Sequence, residues 1–192
     1  MSTPDRRANA FLQGITYLRI ALVPVVMALV LAGDRVQYAY VLGAVLFAIA
    51  AATDFFDGLL ARRWKQTTDL GSFLDTTADK LLVAGALVAL VSVGRASPWI
   101  AFLIIGREIL IMGLRGAIAA DGAVMKPSIW GKTKAAVQFV AIFLAILRTS
   151  SKLGAFYPDQ YVMFLAGVFT IGSAVDYVAR FSGVLSRTRE RR

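Results

Sequence analysis

Four aspartates, Asp54, Asp57, Asp75 and Asp79, stand close together in a chain that is otherwise strongly apolar. The first pair is three residues apart and the second four apart, spacings that put each pair on one face of a helix. Charged groups inside apolar segments are costly unless paired, solvated or used, so carboxylates placed like this are candidates for function. The intervening loop is short, so the two helices should be antiparallel neighbours whose four carboxylates converge at one depth. At low dielectric their repulsion demands a counter-charge. A divalent cation supplies it, and with oxygen ligands only the preferred ion is hard, Mg²⁺ or Mn²⁺. Two ions sharing carboxylates would steady both the attacking and the leaving oxygen of an in-line displacement. Gly58, Ala61 and Gly71 leave room for a ligand near the backbone, and Arg62 offers a forked donor suited to phosphate. In a chain without this chemistry the same small residues would serve helix packing alone.

A second cluster is basic: Arg107 and Arg115 with Glu108 in one apolar run, then Lys132 and Lys134 after Trp130-Gly131. These cations could form an anion pocket, and a small substrate that itself carries phosphate would suit it better than a bare alcohol. Snorkelling of basic side chains towards the membrane surface is the competing reading. It fits poorly with Arg107, which sits well within an apolar run.

The elements that must hold these groups are membrane helices. Of 192 residues, 58% are hydrophobic and 17% charged, more apolar than a soluble domain can cover with polar surface. Apolar stretches fall at six places, near Thr16–Ala32, Tyr38–Leu60, Asp75–Val93, Trp99–Ala120, Lys134–Leu147 and Tyr157–Val178. All but the short fifth are long enough to cross about 30 Å of hydrocarbon as helices. The expected fold is therefore all-α, a bundle of about six transmembrane helices in a single membrane domain spanning 1–192. A short basic segment, 1–15, precedes it, with no removable signal peptide expected, and a basic tail, 181–192, closes it.

Basic residues set the orientation. One side collects Arg6, Arg7, Arg62, Arg63, Lys65, Lys126, Lys132, Lys134 and the tail arginines Arg187, Arg189, Arg191 and Arg192; the other collects Arg35, Arg95, Arg148 and Lys152. Both termini and the aspartate cluster should thus face the cytoplasm. The formal net charge of +9 matches anionic lipid as neighbour better than nucleic acid, which would need a solvated basic face. With no cysteine and no histidine, thiolate and imidazole chemistry is excluded and carboxylates must carry the acid-base and metal work.

Written out, Asp54-x2-Asp57-Gly58-x2-Ala61-Arg62-x8-Gly71-x3-Asp75-x3-Asp79 resembles the full signature of the CDP-alcohol phosphotransferases. The resemblance implies a membrane protein of about six spans, commonly a homodimer, that binds divalent metal and displaces CMP from a CDP-linked alcohol. It implies that Asp54, Asp57, Asp75 and Asp79 ligate metal and that Asp79 also acts as general base. Asp54, Gly58, Ala61, Arg62 and Gly71 would hold CDP-diacylglycerol, together with Thr16 from Thr16-x2-Arg19, which is similar to a family segment that often begins with a Pro-Asn pair absent here. Thr76 stands after Asp75 where many relatives have proline. The stretches Gly106-Arg107-Glu108-Ile109 through Arg115, and Trp130-Gly131-Lys132-Thr133-Lys134, resemble members that make phosphatidylglycerophosphate. Glycerol 3-phosphate is the acceptor this implies, bound at Arg107, Arg115, Lys132 and Lys134, with a plasma or inner membrane as the location. Inositol 1-phosphate and phosphatidylglycerol, the latter giving cardiolipin, are the alternatives within the family. A transporter using the carboxylates as a proton relay would spread them across the membrane depth, whereas these gather at one end.

Overall fold

Hydrogen bonding within each segment is the only way an apolar chain can satisfy its backbone away from water, and the chain folds accordingly into helices. The computed structural model describes residues 6–64, 69–120 and 129–189, with side chains described over 13–53, 71, 73–119, 131 and 133–180. Among the described residues there are six helices and no strand beyond one isolated bridge, Leu153 with Phe156. They are α1 (Arg6–Leu31), α2 (Ala39–Trp64), α3 (Asp69–Ser92), α4 (Pro98–Ala120), α5 (Ile129–Leu147) and α6 (Pro158–Arg189). Each expected span has its helix. Both helices run past the apolar stretches, α2 to Trp64 and α3 from Asp69, since helical pairing of the backbone does not stop where apolar side chains do.

Among the described residues two helical segments, Gln13–Leu31 and Pro158–Arg180, are long and apolar enough to cross a membrane, and Ala39–Thr53 and Thr133–Leu147 are shorter apolar stretches. The charges that interrupt α3 and α4 include the candidate functional ones, Asp75 and Asp79 on α3, with Lys80 beside them, and Arg107, Glu108 and Arg115 on α4.

The chain divides into two compact units, one of residues 1–96 with 142–148, the other of 97–141 with 149–192. In the first unit α1 lies against α2 and α3, and α2 touches α3. The buried stripe of α1 runs Thr16, Arg19, Val26, Val30, and α3 buries Ala78, Leu82, Ala86 and Leu90. Small residues permit this closeness, which matters in lipid because packing rather than water expulsion drives helix association. A Cβ on Gly85 would stand 2.7 Å from Val23 Cγ1 and 3.0 Å from Met27 Sδ, so α1 approaches α3 as only glycine allows.

The end of α3 is closed by a Schellman motif: Gly94, at φ 68°, donates to the Val91 carbonyl and the Arg95 N–H to the Leu90 carbonyl. Arg95 then lies 3.4 Å over the Tyr40 ring and donates through Nη1 to the Ile146 carbonyl, while Arg148 Nη2 donates to the Arg95 carbonyl. One cation thereby meets an orphan carbonyl at the end of α5, and another a carbonyl of the turn that follows α3.

The second unit packs α4 against α6. Ser97 and Pro98 open α4 and Pro158 opens α6, where Gln160 Oε1 accepts from the Tyr157 N–H as the return half of a capping box. The buried face of α6 reads Met163, Ala166, Thr170, Ser173, Tyr177, a three-four spacing that makes one continuous stripe. On α4 the corresponding stripe is Ala101, Ile104, Glu108, Ile111, Ile118, and on α5 it begins Lys134, Gln138, Ala141. Charged and polar side chains thus stand in stripes that are otherwise core.

Candidate functional site

Helix α3 carries Asp75 and Asp79 one turn apart, each side chain partly open at 35% and 26% exposure. Gly71 stands one turn before Asp75 on the same helix. Across the unit, Arg19 of α1 is 1% exposed and its Nη1 donates to Asp75 Oδ1 at 2.8 Å. A guanidinium that deeply buried would be untenable without a carboxylate, so the pair fixes where α1 meets the acidic end of α3. Thr16, one turn before Arg19, is buried on the same face. Lys80 Nζ lies 4.0 Å from Asp79 Oδ2, a loose contact at partial exposure.

Asp54, Asp57, Gly58, Ala61 and Arg62 all fall in α2, a neighbour of α3, so the helical spacing assigned to the first acidic pair holds. Their side chains lie outside the described residues, as does that of Lys132. The expected meeting of all four carboxylates therefore lies outside them too. Among the described side chains no group of three or more metal-capable residues is assembled. Asp75 and Asp79 offer hard oxygen donors on one partly open helix face, a donor set that fits Mg²⁺ or Mn²⁺ better than a softer ion.

The basic cluster lies within the second unit. Glu108 of α4 is its hub: Oε1 accepts from Arg107 Nη1 at 3.0 Å and from Lys134 Nζ of α5. All three side chains are about nine-tenths buried or more, with exposures of 10% for Glu108, 11% for Arg107 and 3% for Lys134. Arg115, two turns along α4, is exposed. The structure thus ties Arg107 and Lys134 together through one carboxylate and leaves the cluster positively charged, which suits an anion held away from water.

Sequence reasoning did not identify the Arg19–Asp75 bond, the hub role of Glu108, or Gln138 and Tyr177, whose buried Nε2 and Oη have no hydrogen-bond partner. The available signal was a polar residue at core spacing inside an apolar run. For Tyr177 even that was weak, since tyrosine fills such stripes routinely.

The chain is similar to known proteins over most of its length. A family model described as CDP-alcohol phosphatidyltransferase matches residues 13–172. A CDP-diacylglycerol–glycerol-3-phosphate 3-phosphatidyltransferase of Bacillus subtilis is 37% identical over 177 residues, covering 86% of this chain and 92% of the relative. A protein of Mycobacterium tuberculosis described as a probable phosphatidylglycerophosphate synthase is 40% identical over 168 residues, 86% of this chain and 78% of its own. The phosphatidyltransferase of Pectobacterium atrosepticum described in the same terms as the Bacillus protein is 40% identical over 177 residues, 85% and 90% of the two chains.

Proposed function

Since the chain belongs to the CDP-alcohol phosphatidyltransferase family, we propose that it transfers the phosphatidyl group of CDP-diacylglycerol to glycerol 3-phosphate, giving phosphatidylglycerophosphate and CMP for phospholipid synthesis. The relatives' shared description supports this choice of substrates. The structural observation that carries the acceptor is the buried, net positive cluster of Arg107, Lys134 and Glu108, which a phosphorylated alcohol suits and a neutral one does not.

In the reaction the acceptor hydroxyl oxygen bonds to the phosphorus that bears the diacylglycerol, and the bond from that phosphorus to the CMP oxygen breaks, CMP leaving with the electron pair. Asp79 takes the hydroxyl proton; its partly open position on α3 gives it access to substrate. Arg19 holds Asp75 by one oxygen and leaves the other available. Asp54, Asp57, Asp75 and Asp79 would hold divalent metal, two ions of Mg²⁺ or Mn²⁺, whose charge offsets that gathering on the phosphate oxygens. Gly58, Ala61, Arg62, Gly71 and Thr16 bind CDP-diacylglycerol, and Arg107, Arg115, Lys132 and Lys134 bind the acceptor phosphate.

The helices serve as six spans of a multi-pass plasma or inner membrane protein, with both termini and the acidic end of α3 at the cytoplasmic face, and the protein works as a homodimer among membrane lipids. The excess of basic residues on one set of loops supports the orientation. The test is CMP release by purified protein given CDP-diacylglycerol, Mg²⁺ and either glycerol 3-phosphate or inositol 1-phosphate. Release with the glycerol compound is expected; release with the inositol compound alone would overturn the acceptor.

A further inference from the structure

Three hydroxyls line the buried stripe of α6, and two of them are satisfied on their own helix. Thr170 Oγ1 donates to the Ala166 carbonyl at 2.7 Å and Ser173 Oγ to the Thr170 carbonyl at 2.9 Å. Tyr177, one turn further on, is 8% exposed, and its phenol is too far from its own backbone to do the same. Its Oη is buried without a hydrogen-bond partner among the described residues. Folded proteins keep such groups rare, and one that persists wants an explanation in something that occupies the space beside it.

The surroundings indicate what that occupant is. Helix α4, which carries Arg107 and Arg115, packs against α6. Arg107 presents a second idle donor, since its Nε is also buried without a partner while its Nη1 is engaged by Glu108. Counting the described charges here, Arg107, Arg115 and Lys134 against Glu108, three positive less one negative leaves two positive. A phosphomonoester carries about −1.5 to −2 at neutral pH and three acceptor oxygens. Its charge matches the excess, and its oxygens match idle donors that no carboxylate or carbonyl among the described residues uses.

Resting on the reading of this cluster as the acceptor pocket, we propose that the Tyr177 hydroxyl is a specificity-determining donor to the acceptor's phosphate, working beside Arg107 Nε and the charge of Arg115. A neutral donor suits this place. It adds recognition of a phosphate oxygen without adding a further positive charge beside the buried cations, and it gives nothing to an acceptor lacking phosphate.

The experiment uses Tyr177→Phe in the full-length protein, which removes one oxygen and keeps the ring. Thermal unfolding is followed without ligand and with inorganic phosphate, glycerol 3-phosphate or glycerol, and KM is measured for both substrates. Without ligand the variant should melt at or above the wild-type temperature, because the hydroxyl it loses is bonded to nothing. Phosphate and glycerol 3-phosphate should stabilise wild type, glycerol should not, and Tyr177→Phe should lose most of that shift. Its KM for glycerol 3-phosphate should rise about tenfold or more, the size expected for one hydrogen bond to a charged group, while the KM for CDP-diacylglycerol holds. A hydroxyl needed only for folding would instead lower the melting temperature without ligand and leave the acceptor KM in place. Wild-type protein that releases no CMP with glycerol 3-phosphate, yet is stabilised by phosphate through Tyr177, would sink the assigned reaction and keep the pocket. A variant with wild-type acceptor KM and an undiminished phosphate shift, or a wild type that phosphate does not stabilise, overturns the proposal.

Discussion

Replacing Glu108 by Gln probes the basic cluster with almost no change of shape. The carboxylate stands between Arg107 and Lys134, and all three side chains are about nine-tenths buried or more. Removing its charge leaves two buried cations facing a neutral amide, and removing one partner of a buried ionic group typically costs about 3–5 kcal/mol. Solvent screening gives little relief at that burial. For a chain of this size each kcal/mol corresponds to about 2–4 °C, so the variant should melt roughly 6–20 °C below wild type in detergent. Lys134→Met alone should cost less, since Arg107 still faces Glu108. The double variant Glu108→Gln with Lys134→Met removes one charge of each sign, so its loss should be smaller than the sum of the single losses by about 0.5–3 kcal/mol of coupling. Phosphate adds a further readout: it should stabilise Glu108→Gln more than wild type, because the anion supplies the lost counter-charge. Additive single losses, or a Glu108→Gln variant that melts within about 2 °C of wild type, a margin below the ~1 kcal/mol typical of ordinary substitutions, would refute the hub.

Asp79→Asn should abolish CMP release while leaving CDP-diacylglycerol binding largely intact; retained turnover removes Asp79 as the base. Stripping divalent metal with EDTA should stop the reaction, with Mg²⁺ or Mn²⁺ restoring it, and product formation indifferent to chelation would exclude a carboxylate-held ion. Gly85→Ala gains about 1 kcal/mol of helix propensity but drives a methyl into stiff, β-branched Val23, at about 1–3 kcal/mol of overpacking, so it should lower the melting temperature. Gly172→Ala, on open surface, should keep the propensity gain and raise it; the reverse order would contradict the close approach of α1 and α3.

Much of this was legible in the sequence because the informative signals were local. Apolar runs marked all six helices, and Gly94, Pro98 and Pro158 sit at the helix ends that their backbone preferences favour. The spacing of Asp75 and Asp79 needed only α3 to be a helix. Partnership across distance was not legible. Arg19 and Asp75 are 56 residues apart, and no periodicity in either helix says that one charge answers the other. The stripes of α4 and α6 explain the rest: Glu108 and Tyr177 fall at positions that core residues also occupy, so position alone could not separate a packed side chain from a polar one facing a binding space.

The ties at the far end of α3 bear on how the protein is made. Arg95 reaches forward 51 residues for the Ile146 carbonyl, and the compact unit that contains it includes 142–148. A ribosome adding about 5–20 residues each second delivers that carbonyl some 3–10 s after Arg95. During that interval the first three helices can associate, yet their clasp stays open. The unit begun first at synthesis is sealed only when the fifth helix arrives.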